Sequence, residues 1–142
     1  MKLFQPFILL LLGICMVSFH SCAEDEDDAP VPEPAVENSI TITIDEPTND
    51  AVVSNCEDVH IHVDFDASIE NHEVEIVLHP EGDTSNKLID YDEHNHDKEI
   101  SFVQDINLCD FAAGTCFHLE VVACINHDCD QAETADAEFC LP

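Results

Sequence analysis

The sequence contains no arginine and no tryptophan, and its only three basic residues are lysines, against 32 aspartates and glutamates. The formal net charge is −29, and it falls by one more unit once Lys2 leaves with an N-terminal signal. A chain this acidic repels the phosphates of nucleic acids and of anionic membrane surfaces. We therefore expect no nucleic-acid partner. The charge favours solubility in a salty medium over a dedicated cation-buffering role.

The common motifs of enzymes are missing as well. The sequence has no glycine-rich phosphate loop, no Gly-x-Ser-x-Gly elbow and no His-Glu-x-x-His motif. Both methionines lie within the first 21 residues, so the rest of the chain offers no thioether for cuprous copper. We predict a protein that is not an enzyme.

The first 38 residues are predicted to direct and anchor the protein. Residues 1–21 contain no acid and carry the apolar run 7–12, which is typical of a secretory signal peptide. Ser21 before Cys22 resembles a bacterial lipobox, so we predict lipidation at Cys22 and membrane anchoring. Residues 22–38 are acidic and then proline-rich, as in a solvated tether. Acids directly after a lipidated cysteine resemble a surface-export signal, which predicts an outer-membrane protein at the cell surface.

Residues 39–142 are predicted to form one all-β domain. In the segment 59–65, Val59, Ile61, Val63 and Phe65 alternate with polar residues, which is the period of a half-buried strand. No segment has a helical period of useful length. Candidate strands follow at short spacing, at residues 39–44, 58–65, 72–79, 87–91, 99–104, 117–125 and 133–140. This pattern predicts an immunoglobulin-like antiparallel sandwich of about seven strands.

Six cysteines in the predicted domain indicate three disulfide bonds: Cys56, Cys109, Cys116, Cys124, Cys129 and Cys140. If the strands run alternately up and down, Cys124 and Cys129 bracket a hairpin at one end, and the other four lie at the opposite end. We expect a Cys124–Cys129 bond. The favoured pairing of the remainder is Cys109–Cys116 with Cys56–Cys140, although the sequence leaves the two other pairings open. A metal–thiolate site is disfavoured because exported thiols oxidise.

Two histidine pairs are the candidate metal ligands. His60 and His62 share one face of a predicted strand, and His94 and His96 lie in an acidic loop. Neutral imidazole is a common ligand of zinc and copper, so we predict a divalent transition-metal site at these four residues. Calcium is less favoured because no twelve-residue calcium loop is present. The competing interpretation is that these are solvated surface histidines.

The strand layout places further polar side chains with the second pair. His72 and His127 fall in loops at the end opposite the four cysteines, and His94 and His96 face outward there only if the strand breaks near Asp97. A separate pair, His79 and His118, would meet across neighbouring strands, although two ligands alone make a weak site.

The acidic lipoprotein start, the paired histidines and the late strand Phe117-His118-Leu119 together resemble a family of small Bacteroidota lipoproteins of unknown function. In that family an immunoglobulin-like domain carries His-x-His pairs and a late Tyr-His-Leu-like strand. The resemblance covers residues 39–142. The chain departs from it at Cys124 and Cys129, where the family has an Asp-x-x-Gly-Asn turn. The resemblance implies fold and location but no activity.

The sequence therefore predicts an exported, membrane-anchored lipoprotein that binds a divalent transition metal through surface histidines. The alternative is a surface adhesion or interaction module that contacts a protein or a glycan, with the histidines incidental.

Overall fold

The structure is a computed structural model that describes residues 37–142. The predicted signal peptide, Cys22 and most of the predicted tether lie outside the described residues. Within residues 37–142, no helix is long and apolar enough to cross a membrane.

Residues 37–142 form eight β-strands in two sheets and contain no helix. The strands are β1 (Ile40–Glu46), β2 (Ala51–Val52), β3 (Val59–Ala67), β4 (Glu73–Pro80), β5 (Ile89–His94), β6 (Glu99–Ile106), β7 (Cys116–Cys124) and β8 (Ala132–Cys140). One sheet has the order β1-β3-β6 and the other β2-β8-β7-β4-β5. Neighbouring strands are antiparallel, except that β2 runs parallel to β8. The predicted immunoglobulin-like sandwich is confirmed, and the two-residue β2, too short to show alternation, is added to it.

The alternation of β3 places one face of the strand in the core. Ile61 and Val63 are completely buried, whereas the residues that follow each of them, His62 and Asp64, are only half-buried. The core fills the space between the sheets, and its largest side chains are Phe65, Phe117 and Phe139. Burial of aliphatic and aromatic side chains of this size contributes about 1.5–3 kcal/mol each.

Two strands depart from simple alternation. Ile42 and Ile44 of β1 are predicted to point inward, but they are only half-buried because β1 is an edge strand. In β4, the outer-face residues Val77 and His79 are also buried. This strand lies between β5 and β7, so neighbouring strands flank it on both sides.

Each cysteine lies at the end of the sandwich predicted for it, but the favoured pairing of four of the cysteines is wrong. The bonds are Cys56–Cys109, Cys116–Cys140 and Cys124–Cys129. Cys116 lies directly opposite Cys140 in the β7–β8 register.

Cys56 and Cys109 meet for a similar reason. Val59 pairs with Ile106, and each cysteine lies three residues beyond its strand end. Cys109 therefore stays with the β3–β6 sheet, whereas Cys116 already begins a strand of the other sheet.

Candidate metal centre

Three connections meet at the end of the sandwich opposite Cys56 and Cys116, and we call this the loop end. They are the β3–β4 loop (residues 68–72), the β5–β6 loop (residues 95–98) and the β7–β8 hairpin (residues 125–131). The predicted break near Asp97 is present, because β5 stops at His94 and β6 begins at Glu99. The strand directions bring all three connections to one edge.

Two asparagine side chains tie the connections together. The Nδ2 group of Asn38 donates to the carbonyl oxygens of Glu70 and Ile125, at 2.7 and 2.9 Å, and so joins the β3–β4 loop to the hairpin. The Nδ2 group of Asn71, which is completely buried, donates to the carbonyl oxygens of Asp97 and Lys98. These bonds fix the backbone that carries the histidines.

Four histidine rings, three from the connections and one from the last residue of β5, form a closed group at the loop end, which we call the histidine cluster: His72, His94, His96 and His127. Around this group, successive ring centroids are 5.2 Å apart from His72 to His96, 4.8 Å on to His94, 5.7 Å on to His127 and 6.2 Å back to His72. Each ring is steeply inclined to the next, with interplanar angles from 69° to 89°. Neighbouring rings therefore meet edge to face.

Glu70 adds a carboxylate to the histidine cluster. Its Oε1 lies 3.9 Å from Nε2 of His72, and its Oε2 lies 3.5 Å from Nδ1 of His96. Ligand atoms of these three residues all lie within 4.8 Å of one another. Imidazole nitrogen and carboxylate oxygen are the donors of mixed zinc sites.

Unsatisfied polar atoms are concentrated at the same place. Within the described part of the chain, three buried side-chain polar atoms have no hydrogen-bond partner: Nδ1 of His72, Oδ1 of Asn71 and Oδ1 of Asn126. Asn71 precedes His72, and Asn126 precedes His127, so all three atoms lie at the loop end. A buried polar atom without a partner is costly in a finished fold. The concentration of such atoms here is what a missing ligand or ordered water would leave.

The other predicted pair is in a different place. His60 and His62 lie on the outer face of the three-stranded sheet, in the half of β3 nearer Cys56, with ring centroids 6.2 Å apart. His94 and His96 lie at the loop end of the other sheet. The structure therefore does not bring the four predicted ligands together in one site.

His60 and His62 are engaged by aspartates. Nδ1 of His60 lies 2.7 Å from Oδ1 of Asp105, and this hydrogen bond raises the pKa of His60 above its ordinary value. The two ring nitrogens of His62 face Asp45 at 3.6 Å and Asp64 at 3.2 Å, and these three residues also form a compact donor group.

The acid beside His62 is held in its charged form. A hydrogen bond from Ser101, followed by the neighbouring His62 ring, keeps the pKa of Asp64 below its ordinary value. The Oγ of Ser101 also lies 3.3 Å from Nε2 of His62, so that nitrogen has polar partners in both Ser101 and Asp64. This face is a set of satisfied histidine–carboxylate pairs.

Sequence reasoning placed His72 and His127 at the right end but did not name them as ligands, and it did not single out Glu70. The available signal was the loop layout itself, since strand direction alone sends these residues to the end that carries His94 and His96. His-x-His spacing drew attention to His60 and His62 instead.

All six cysteines of the described residues are in disulfide bonds, so nitrogen and oxygen are the donors that the loop end offers. Such donors suit divalent zinc, copper or nickel better than cuprous copper. No protein-family model matches the chain, and no curated protein matches it.

Proposed function

We propose that this protein is an exported, membrane-anchored, non-enzymatic lipoprotein whose loop end binds one divalent transition metal ion, zinc or copper. The ligands are His72, His96 and Glu70, with His94 and His127 completing the set. The observation that carries the proposal is the convergence of Glu70, His72 and His96, whose ligand atoms all lie within 4.8 Å of one another. The rings of His94 and His127 lie beside this group, and Nδ1 of His72 is buried without a protein partner.

The chemistry of the histidine cluster favours transition metals over calcium. Calcium takes six to eight oxygen ligands, whereas four of the five groups here offer nitrogen. The surrounding acids raise the local concentration of cations, but they act on all cations alike. Selectivity therefore comes from the imidazoles.

Calorimetric titration with zinc and with cupric ion, at moderate salt and without a histidine tag, tests the proposal. At pH 7.5 we expect saturable binding of one ion at the loop end. At pH 5.5 the affinity should fall by about tenfold or more, because a metal-bound imidazole must be unprotonated. A site made only of carboxylates would keep its ion at pH 5.5.

Matched double variants assign the site. His72→Ala with His96→Ala should abolish the binding event of the loop end, whereas His60→Ala with His62→Ala should leave that event in place. Loss of binding only in the His60→Ala and His62→Ala variant would place the site on the face of the three-stranded sheet. No saturable binding at pH 7.5 would leave the alternative, an adhesion or interaction module for a protein or glycan.

A further inference from the structure

A second group of ligand-type side chains lies on the outer face of the five-stranded sheet, away from the loop end. His79 of β4 pairs in register with His118 of β7, which pairs in turn with Glu138 of β8. The next row of the same face carries Glu120 and Asp136, which pair with each other. Two imidazoles and three carboxylates therefore occupy adjacent positions on one surface.

The buried His79 fixes the chemistry of this face. Its side chain is only 4% exposed, and its Nδ1 lies 2.9 Å from the carbonyl oxygen of Pro80. A carbonyl oxygen only accepts, so Nδ1 must carry the proton and donate it. A backbone carbonyl on one ring nitrogen is also how proteins orient histidines that bind metal through the other nitrogen.

This assignment creates a conflict at the other ring nitrogen. In the neutral ring, Nε2 has a lone pair, and it lies 3.4 Å from Oε1 of Glu120, which is also an acceptor. Two acceptors in contact require a cation between them, either a proton on Nε2 or a metal ion. The side-chain hydrogen bond of Lys87 within the described residues runs from Nζ to Asp90, at 2.7 Å, and not to Glu120.

The spacing of the two acceptors fits a metal ion. Two ligands at about 2.1 Å from a tetrahedral zinc ion are about 3.4 Å apart. The centroid of the His118 ring is 5.5 Å from that of His79, and its side chain is about a quarter exposed, so a second imidazole lies beside the gap. Its nitrogens now face Glu138 at 3.8 Å and Asp136 at 4.0 Å.

We propose that His79, Glu120 and His118 form a second binding site for a zinc-type divalent cation on the outer face of the five-stranded sheet, with Glu138 or a water molecule as the fourth ligand. This site is independent of the one at the loop end. It uses different strands and no shared residue, so either proposal can fail alone.

The test uses the full domain with His72→Ala and His96→Ala, which removes the loop-end ligands, and zinc alone as the probe. Calorimetry should show a remaining saturable event. Adding Glu120→Gln, or separately His118→Ala, should weaken that event by about tenfold or more. Adding Glu75→Gln, an exposed acid of the same face of β4, should leave it unchanged.

Imidazole nitrogen spectra, recorded by NMR on ¹⁵N-labelled protein, provide a second readout that needs no substitution at the buried His79. Zinc should shift the Nε2 resonance of His79 while Nδ1 stays protonated. If the ring is doubly protonated and does not respond to zinc, the cation is a proton and the proposal is wrong. Absence of residual saturable binding, or residual binding that survives Glu120→Gln, would also overturn it.

Discussion

Single asparagines decide the shape of the loop end. Asn71 is completely buried, and its amide nitrogen satisfies two carbonyl oxygens of the β5–β6 loop, those of Asp97 and Lys98. The same two oxygens also accept from backbone N–H groups, those of Asn71 and Ala67, so the side chain adds a second donor to each. This residue therefore stabilises the loop that carries His96.

Asn71→Ala should lower the free energy of unfolding by about 1–3 kcal/mol, because it removes the two hydrogen bonds of a completely buried amide. It should also weaken zinc binding at the loop end. Chemical denaturation and calorimetry measure the two effects. Asn86→Ala, at an exposed turn position, is the matched control and should change neither quantity. Unchanged zinc affinity in the Asn71 variant would show that the β5–β6 loop holds its shape without this amide.

The His60–Asp105 pair predicts a dependence on pH at the residue scale. The hydrogen bond to Asp105 raises the pKa of His60, so Asp105→Asn should bring that pKa down toward 6.5. Because the folded-state pKa is raised, the stabilisation is present below the unfolded value and is lost as pH rises through the folded value. The variant should therefore be destabilised more at pH 5.5 than at pH 8.5.

NMR titration of the histidine ring protons checks the pKa of His60, and denaturation at the two pH values checks the stability. Asp66→Asn, an exposed acid on the same face of β3, should leave the titration of His60 unchanged. An Asp105→Asn protein with the original His60 titration would contradict the ion pair.

At the scale of elements, the β7–β8 hairpin links a disulfide to the proposed metal ligands. Cys124 and Cys129 are five residues apart and close the hairpin that carries His127. By loop entropy this bond contributes only about 2 kcal/mol, whereas Cys56–Cys109, with a separation of 53 residues, contributes about 4 kcal/mol. The bond with the smaller contribution to stability lies at the histidine cluster, and the bond with the larger contribution lies at the opposite end.

Removal of one bond or the other should therefore affect zinc affinity and the free energy of unfolding differently. Cys124→Ser with Cys129→Ser should weaken zinc binding and cost about 2 kcal/mol of unfolding free energy. Cys56→Ser with Cys109→Ser should cost about 4 kcal/mol and leave the zinc affinity of the folded protein unchanged. Equal loss of affinity in both variants would mean that overall stability, and not the position of the hairpin, governs binding.

The strands could be predicted from the sequence. Alternation of apolar and polar residues with a period of two indicates a strand in a sheet that buries one face. That rule located Ile61 and Val63 in the core and His62 outside it. It could not show that side chains on both faces of β4 are buried near His79, because that burial depends on the neighbouring strands. It also could not choose among cysteine pairings, since the register that sets Cys116 opposite Cys140 is a property of two paired strands.

At the scale of the whole molecule, the acidic charge and the predicted lipid anchor concern location. We expect the mature protein to begin at a lipidated Cys22 and to partition into detergent with the membrane fraction. Detergent phase separation of the wild type and of Cys22→Ala, followed by immunoblotting, measures this. Cys15→Ala, inside the predicted signal peptide, is the control and should keep the wild-type partition. A Cys22→Ala protein that still partitions with membranes would contradict the lipoprotein assignment.

The sequence by itself determined the all-β class, the inward residues of the main strands and the end of the sandwich at which each cysteine lies. These follow from hydrophobic period and strand direction, which are local properties of the chain. Only the tertiary structure decided which cysteines bond, that His60 and His62 lie apart from His94 and His96, and that Glu70, His72 and His127 join the latter pair. Such groupings depend on contacts between residues distant in sequence, and a ligand set is defined by distances of a few ångströms that spacing along the chain does not encode.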